Sequence, residues 1–164
     1  MVERAVTLGL ILAVLALWSR STSIERRSSS IERRLEVLRS ASPVEFDGPG
    51  DRWSPEALLV GAVADCFILT FRAIAKASRL SWISLDCEVT GTLDRVDRVT
   101  QFTRFDMTAR LAVPAGVNTE AARHALEKAE RNCLISSSLK AAVTLDAGVL
   151  IADPAQLNVS HFAY

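Results

Sequence analysis

The segment from Ser54 to Ser78, SPEALLVGAVADCFILTFRAIAKAS, constrains the fold more than any other part of the chain. It opens on serine, proline and glutamate, the order of an N-cap, a first helical position and a first-turn acid that suits the positive end of a helix. That opening predicts a helix from Pro55 to about Lys76 or Ser78. Between Ala57 and Ala75 only Asp65, Thr70 and Arg72 are polar. A helix that is apolar nearly all round must be covered on most sides, so the segment reads as the central helix of a domain. A membrane span is the weaker reading, because Asp65 and Arg72 would be costly in lipid. In the middle of this helix stands Cys66. A free cysteine there packs as a small hydrophobe unless the rest of the chain gives it chemistry.

The chain of 164 residues suits one domain with short appended segments. Its 19 basic and 19 acidic residues cancel, so no global field steers it toward nucleic acid. Cys66, Cys87 and Cys133 lie far apart, with no CxxC and no His/Cys spacing that suggests a metal, and an odd, sparse count is unlike a secreted disulfide framework. Reduced thiols in a reducing, cytoplasmic compartment are the expectation, with no metal or organic cofactor.

Residues 1–40 read as an atypical N-terminal segment. Ala5 to Trp18, AVTLGLILAVLALW, carries no charge, but 14 residues fall short of the roughly 20 that a spanning helix needs. A membrane-associated helix, a signal-peptide core, a packed or disordered segment and an atypical start all stay open. In SIERRSSSIERR, Ser23 to Arg34, the SIERR repeat supports either a short amphipathic helix or a turn followed by a strand. Ser40 to Trp53 is rich in Pro, Gly and Asp and reads as a loop.

After the central helix, Ile83, Leu85, Cys87, Val89 and Leu93 alternate with polar residues, as do Phe105, Met107, Ala109, Leu111 and Val113. Period two predicts two half-buried strands, joined through Asp94–Arg98 as an antiparallel hairpin. Pro114 to Asn118 closes the hairpin and Thr119 is placed as the cap of a second helix. On that helix Ala121, Ala125, Ala129 and Cys133 form an inward stripe at every fourth residue. Ala142 to Leu150 reads as a last strand, and 151–164 as a tail. Trp53 and Trp82 flank the central helix as packing anchors, Cys87 belongs to a core face, and His124 and His161 have no partner spacing.

A helix opening P-E-x-L-L and reaching A-x-C-F, followed by a second helix with A-E-x-x-C, resembles the osmotically inducible protein C and organic hydroperoxide resistance (OsmC/Ohr) family. The resemblance covers roughly Pro43 to Val149, within a domain at 41–150. It implies an α+β fold in which an antiparallel sheet wraps around two central helices, and an intertwined homodimer. It further implies a thiol-dependent peroxidase in which Cys66 attacks an organic hydroperoxide, becomes a sulfenic acid and is captured by Cys133 as a disulfide that an external dithiol reduces. Glu56 matches the family glutamate that holds an activating arginine, and counting back from Pro43 places that arginine near Arg26 or Arg27, with Arg27 preferred. Glu56 and Cys66 are about 15 Å apart along one helix, so only a long side chain from elsewhere could link them. After Cys133 this chain has Leu-Ile-Ser136, where the Ohr branch has C-P-Y-S. The alternative reading keeps the fold and both cysteines in a non-catalytic protein that binds an apolar molecule or a partner, at a membrane through residues 5–18.

Overall fold

A computed structural model describes residues 37–153. The apolar run at 5–18, the SIERR repeat, Arg27 and His161 lie outside the described residues.

Ser40 and Trp53 form a parallel bridge across the loop between them, with the Ala41 N–H donating to the Trp53 carbonyl at 3.0 Å. Helix α1 follows, Pro55–Ser78, and its N-terminus is capped as the sequence predicts: the Ser54 hydroxyl accepts from the Ala57 N–H at 3.0 Å. It closes at Arg79, which takes the left-handed conformation at φ 54°. There the N–H of Leu80 reaches back to the Ala75 carbonyl and that of Arg79 to Lys76. This closure satisfies carbonyls that the end of a helix would leave orphaned.

Val63, Phe67, Phe71 and Ala75 form the buried stripe of α1. The expectation that this helix is covered on most sides is met along that stripe only. Leu69 is 51% exposed, and Asp65 and Arg72 face solvent without an ion pair to each other. The reason is architectural, since the described chain supplies one sheet and two shorter helices, enough to cover one side. By length and composition α1 could cross a membrane, but its inner stripe packs on protein.

Strands β1, Ser84–Val96, and β2, Val99–Val113, pair antiparallel. The sequence reading placed a five-residue link at Asp94–Arg98; the strands run on instead to a two-residue turn, Asp97 and Arg98, at φ 51° and 66°. Left-handed conformations at both turn positions match the twist of the flanking strands, which is why so short a turn can close the hairpin. A bulge between Thr92 and Leu93 shifts the phase of β2, so Phe102 rather than Thr103 opposes Leu93 and stacks on Phe105 at 4.9 Å. Gly91 makes room for this, because a Cβ there would stand 2.7 Å from the Phe102 ring and 2.9 Å from Val60 of α1.

Strand β3, Ala142–Ile151, lies on the other side of β2 and runs parallel to it. The sheet is therefore mixed, which corrects the expectation of an antiparallel one. Residues 114–141 carry the chain back over the sheet through helices, and a crossover of that kind returns a strand in the parallel sense. The first crossover helix, α2, spans Thr119–Arg131 and is capped by Asn118 rather than Thr119: the Asn118 Oδ1 accepts from the N–H groups of Glu120 and Ala121. Its buried stripe is Ala122, Ala125, Leu126 and Ala129, so Ala121 faces out, contrary to the inward stripe expected at every fourth residue from Ala121. Helices α1 and α2 pack against each other and against the sheet, and Phe67, Phe71, Phe105, Met107, Leu111 and Leu126 fill the space between them.

Candidate active site

Cys66 occupies the middle of α1, one position before the fully buried Phe67, and is half-buried. Cys133 was expected within the second helix. It lies beyond it instead: α2 ends at Arg131, and Cys133 is the N-cap residue of a short helix α3, Leu134–Ser138. Its N–H is spent on the Glu130 carbonyl at 3.1 Å, and its own carbonyl accepts from the Ser137 N–H at 3.0 Å and the Ser137 hydroxyl at 2.9 Å. Cys133 is thereby fixed from both sides and fully buried.

The first N–H groups of a helix have no partner inside it. In α3 those of Ile135 and Leu134 lie close enough to the Cys66 sulfur to affect its charge, as do the Cys133 thiol and the Thr70 hydroxyl. Burial by itself pushes the Cys66 thiol up. The Ile135 N–H, the Cys133 thiol, the Leu134 N–H and the Thr70 hydroxyl outweigh it, so Cys66 is held below the ordinary thiol value of 9.0. Donors pointed at a sulfur favour its anionic form, and the thiolate is the nucleophile. Both cysteines are free thiols in this structure.

Cys87 behaves differently. It sits on the inner face of β1 opposite Ala109, and burial, with the Cys133 sulfur nearby, pushes its thiol up to about 11. It stays protonated at neutral pH. Its placement in the core agrees with the sequence reading.

Glu56 is half-buried in the first turn of α1, and its Oε2 is buried with no hydrogen-bond partner among the described residues. A carboxylate oxygen left so is costly unless a donor reaches it. Arg27, the residue expected to do so, lies outside the described residues. His124 is a surface residue whose Nδ1 is 3.2 Å from Glu127. Trp82 anchors the far end of α1 edge-on against Phe71, with ring centroids 5.5 Å apart. Trp53, expected as a packing anchor, is 55% exposed, and its bridge to Ser40 uses its backbone.

The family model for OsmC-like protein matches residues 48–147, more than half of the chain and the whole stretch that carries both cysteines. The chain belongs to the OsmC-like family. It is 34% identical over 108 residues to an uncharacterized protein, YmaD, of Bacillus subtilis, covering 63% of this chain and 71% of that one. Peroxiredoxin OsmC of Escherichia coli is 30% identical over 93 residues, 57% of this chain and 64% of the relative. Among solved structures, an OsmC-like protein of unknown function from Vibrio cholerae superposes with a TM-score of 0.56 at 20% identity, over 63% of this chain and 68% of that one. An OsmC-like α+β fold is thus common to this chain and its structural relatives.

The reading of the sequence missed three contributors to the Cys66 environment. Thr70 is four residues after Cys66, on the same helix face, and that spacing could have flagged it. Leu134 and Ile135 act through their backbone N–H groups, which leave no mark in side-chain identity. Among the described residues, no group of three His, Cys, Asp or Glu side chains is placed to hold a metal ion.

Proposed function

We propose that this OsmC-like protein is a thiol-dependent peroxidase acting on organic hydroperoxides through Cys66 and Cys133. One observation carries the proposal: the Ile135 and Leu134 N–H groups of α3 and the Cys133 thiol are near enough to the Cys66 sulfur to hold its pKa down. The Cys66 thiolate attacks the terminal peroxide oxygen, the O–O bond breaks, and the alkoxide leaves and is protonated to the alcohol. Cys66 is then a sulfenic acid. The Cys133 sulfur displaces its hydroxyl, which departs as water, and a disulfide forms. An external dithiol reduces that disulfide by two exchange steps, so the protein itself brings no cofactor.

The name of the Escherichia coli relative, Peroxiredoxin OsmC, supports this class of chemistry. The orphaned Glu56 oxygen supports a further part: a guanidinium, for which Arg27 is the candidate, pairs with Glu56 and reaches toward Cys66. The uncovered flank of α1 supports a homodimer in which a second copy lies over it. We place the catalytic domain at 41–150, with 1–40 and 151–164 appended, in the reducing cytoplasm, where the three thiols stay reduced. Attachment to a membrane through residues 5–18 is the alternative location, and fractionation of the full chain against one starting at Ser40 tests it.

Counting free thiols before and after one equivalent of an organic hydroperoxide tests the chemistry. The parent protein is expected to lose two thiols, and Cys66→Ser to form no Cys66–Cys133 bond. Retention of all three thiols in the parent overturns the proposal in favour of a non-catalytic binding protein.

A further inference from the structure

The third thiol, Cys87, has no part in the reaction written above, yet the fold carries it toward the other two. Gly91 on β1 meets Val60 on α1, where a Cβ would stand 2.9 Å from the Val60 side chain. Cys87 lies on the same face of β1 four residues earlier, about 13 Å away at ~3.3 Å per residue. The link 79–83 reverses the chain, so the matching direction on α1 runs from Val60 to Cys66, six residues later, or about 9 Å at ~1.5 Å per residue. Cys87 and Cys66 therefore stand at nearly the same level along the interface of β1 with α1.

Across the strands Cys87 faces the fully buried Ala109, and its neighbours on that face pair as Leu85 with Leu111 and Val89 with Met107. Two small side chains thus interrupt a face of large ones, and a cysteine opposed by a methyl has more room to change rotamer than one opposed by a leucine. Cys133 is the sulfur with an influence on both other thiols: it helps to hold Cys66 down and, as a nearby charge, to push Cys87 up. It is the shared neighbour of the other two. Its backbone is fixed at N–H and carbonyl, so exchange between Cys66 and Cys87 as its partner needs movement of side chains only.

We propose that Cys87 is a second resolving thiol, which takes Cys133 over from Cys66 once their disulfide has formed. The Cys87 sulfur attacks the Cys133 sulfur, the Cys66–Cys133 bond breaks, and a Cys87–Cys133 disulfide forms. Cys66 leaves as a thiolate with the electron pair of the broken bond, and the proton of Cys87 passes to solvent. No oxidant or reductant is consumed. The direction follows from the leaving groups: the sulfur of lower pKa departs more readily, and Cys66 is held below the ordinary thiol value while Cys87 is pushed up to about 11. The same value makes the step slow, because few Cys87 thiolates exist at neutral pH and their greater nucleophilicity only partly compensates, a deficit of about a hundredfold against a thiol of pKa near 7. Proximity to its target offsets a deficit of that size. The inference rests on the peroxidase reading for the origin of the first disulfide. Its consequence is that Cys66 is free again before any reductant arrives, so one chain takes up a second hydroperoxide and ends with Cys66 as a sulfenic acid.

The test uses the full chain. After one equivalent of an organic hydroperoxide, samples taken over time are denatured and alkylated with N-ethylmaleimide at low pH, and peptide mass spectrometry identifies the remaining thiol. The parent is expected to show Cys87 free at first and Cys66 free at the end, together with a Cys87–Cys133 peptide. Given two equivalents, the parent should release about twice as much alcohol per chain as Cys87→Ala, the fold-change set by whether Cys66 is freed for a second attack. Cys87 remaining the free thiol throughout overturns the inference, and this mapping in the parent does not depend on how well Cys87→Ala folds. A second arm replaces the hydroperoxide with diamide, a two-electron thiol oxidant, and needs no peroxidase activity. The same succession of bonds with diamide, and no thiol lost to hydroperoxide, leaves the role of Cys87 standing and removes the peroxidase reading. Loss of two thiols to hydroperoxide with Cys87 free at every time does the reverse.

Discussion

Truncating Phe71 tests how the candidate site is held in place. Phe71 is fully buried on the inner stripe of α1 and meets Trp82 edge-on at 5.5 Å, the contact that ties the second half of α1 to the approach to β1. A buried aromatic ring removes roughly 200 Å² from water, worth ~5 kcal/mol at ~25 cal/mol/Å², of which the alanine methyl retains about 1. The expected cost of Phe71→Ala is therefore about 4 kcal/mol, inside the 3–5 range typical of Phe→Ala in a packed core. The edge-to-face geometry adds a component of about 0.5–1.5 kcal/mol, which a cycle of Phe71→Leu, Trp82→Leu and the double variant isolates. Urea unfolding followed by far-UV circular dichroism measures both, and the leucine variants serve if the alanine variant leaves too little stability to fold. A loss below about 1.5 kcal/mol for Phe71→Ala would mean that the stripe is not the main attachment of α1. A coupling of zero would remove the ring pair from the account. Because Thr70 precedes Phe71, the alkylation rate of Cys66 in the same variants reports whether a shifted helix disturbs the donors around the sulfur.

Further outcomes are expected. The rate of Cys66 alkylation against pH should have its midpoint below the ordinary thiol value of 9.0, because a lowered pKa means that the proton is lost earlier as pH rises; a midpoint above 9.0 would refute the donor arrangement. Thr70→Val removes one of those donors and should move the midpoint up. Cys87 should react only in strongly alkaline solution, with a midpoint near 11. Ser54→Ala removes the hydroxyl that caps α1 and should lower the urea midpoint by an amount corresponding to about 1 kcal/mol with an unchanged slope.

Much of the fold is legible in the residues because its signals are local. Ser54 and Pro55 announce α1, and the alternation through Leu85–Val89 and Phe105–Val113 announces the hairpin; caps and periods are written in neighbouring residues. The direction of β3 is not, since strand sense depends on the route that residues 114–141 take over the sheet. The bulge at Thr92 is not either, because the gain from stacking Phe102 on Phe105 exists only once α1 and the sheet have met. Cys66 and Cys133 became a pair in the sequence only through a family resemblance, as no spacing in one chain states that residues 67 positions apart are neighbours.

What the sequence determined by itself is the set of parts: a long apolar helix with a thiol at its centre, two alternating strands, a second helix, and a charge balance that favours no polyanion. Tertiary structure alone decided the chemistry at Cys66. Ending α2 at Arg131 and restarting the chain as α3 turns the N–H groups of Leu134 and Ile135 toward Cys66, and a backbone donor has the same identity at every non-proline residue. Whether such a group meets water or a sulfur is set by packing.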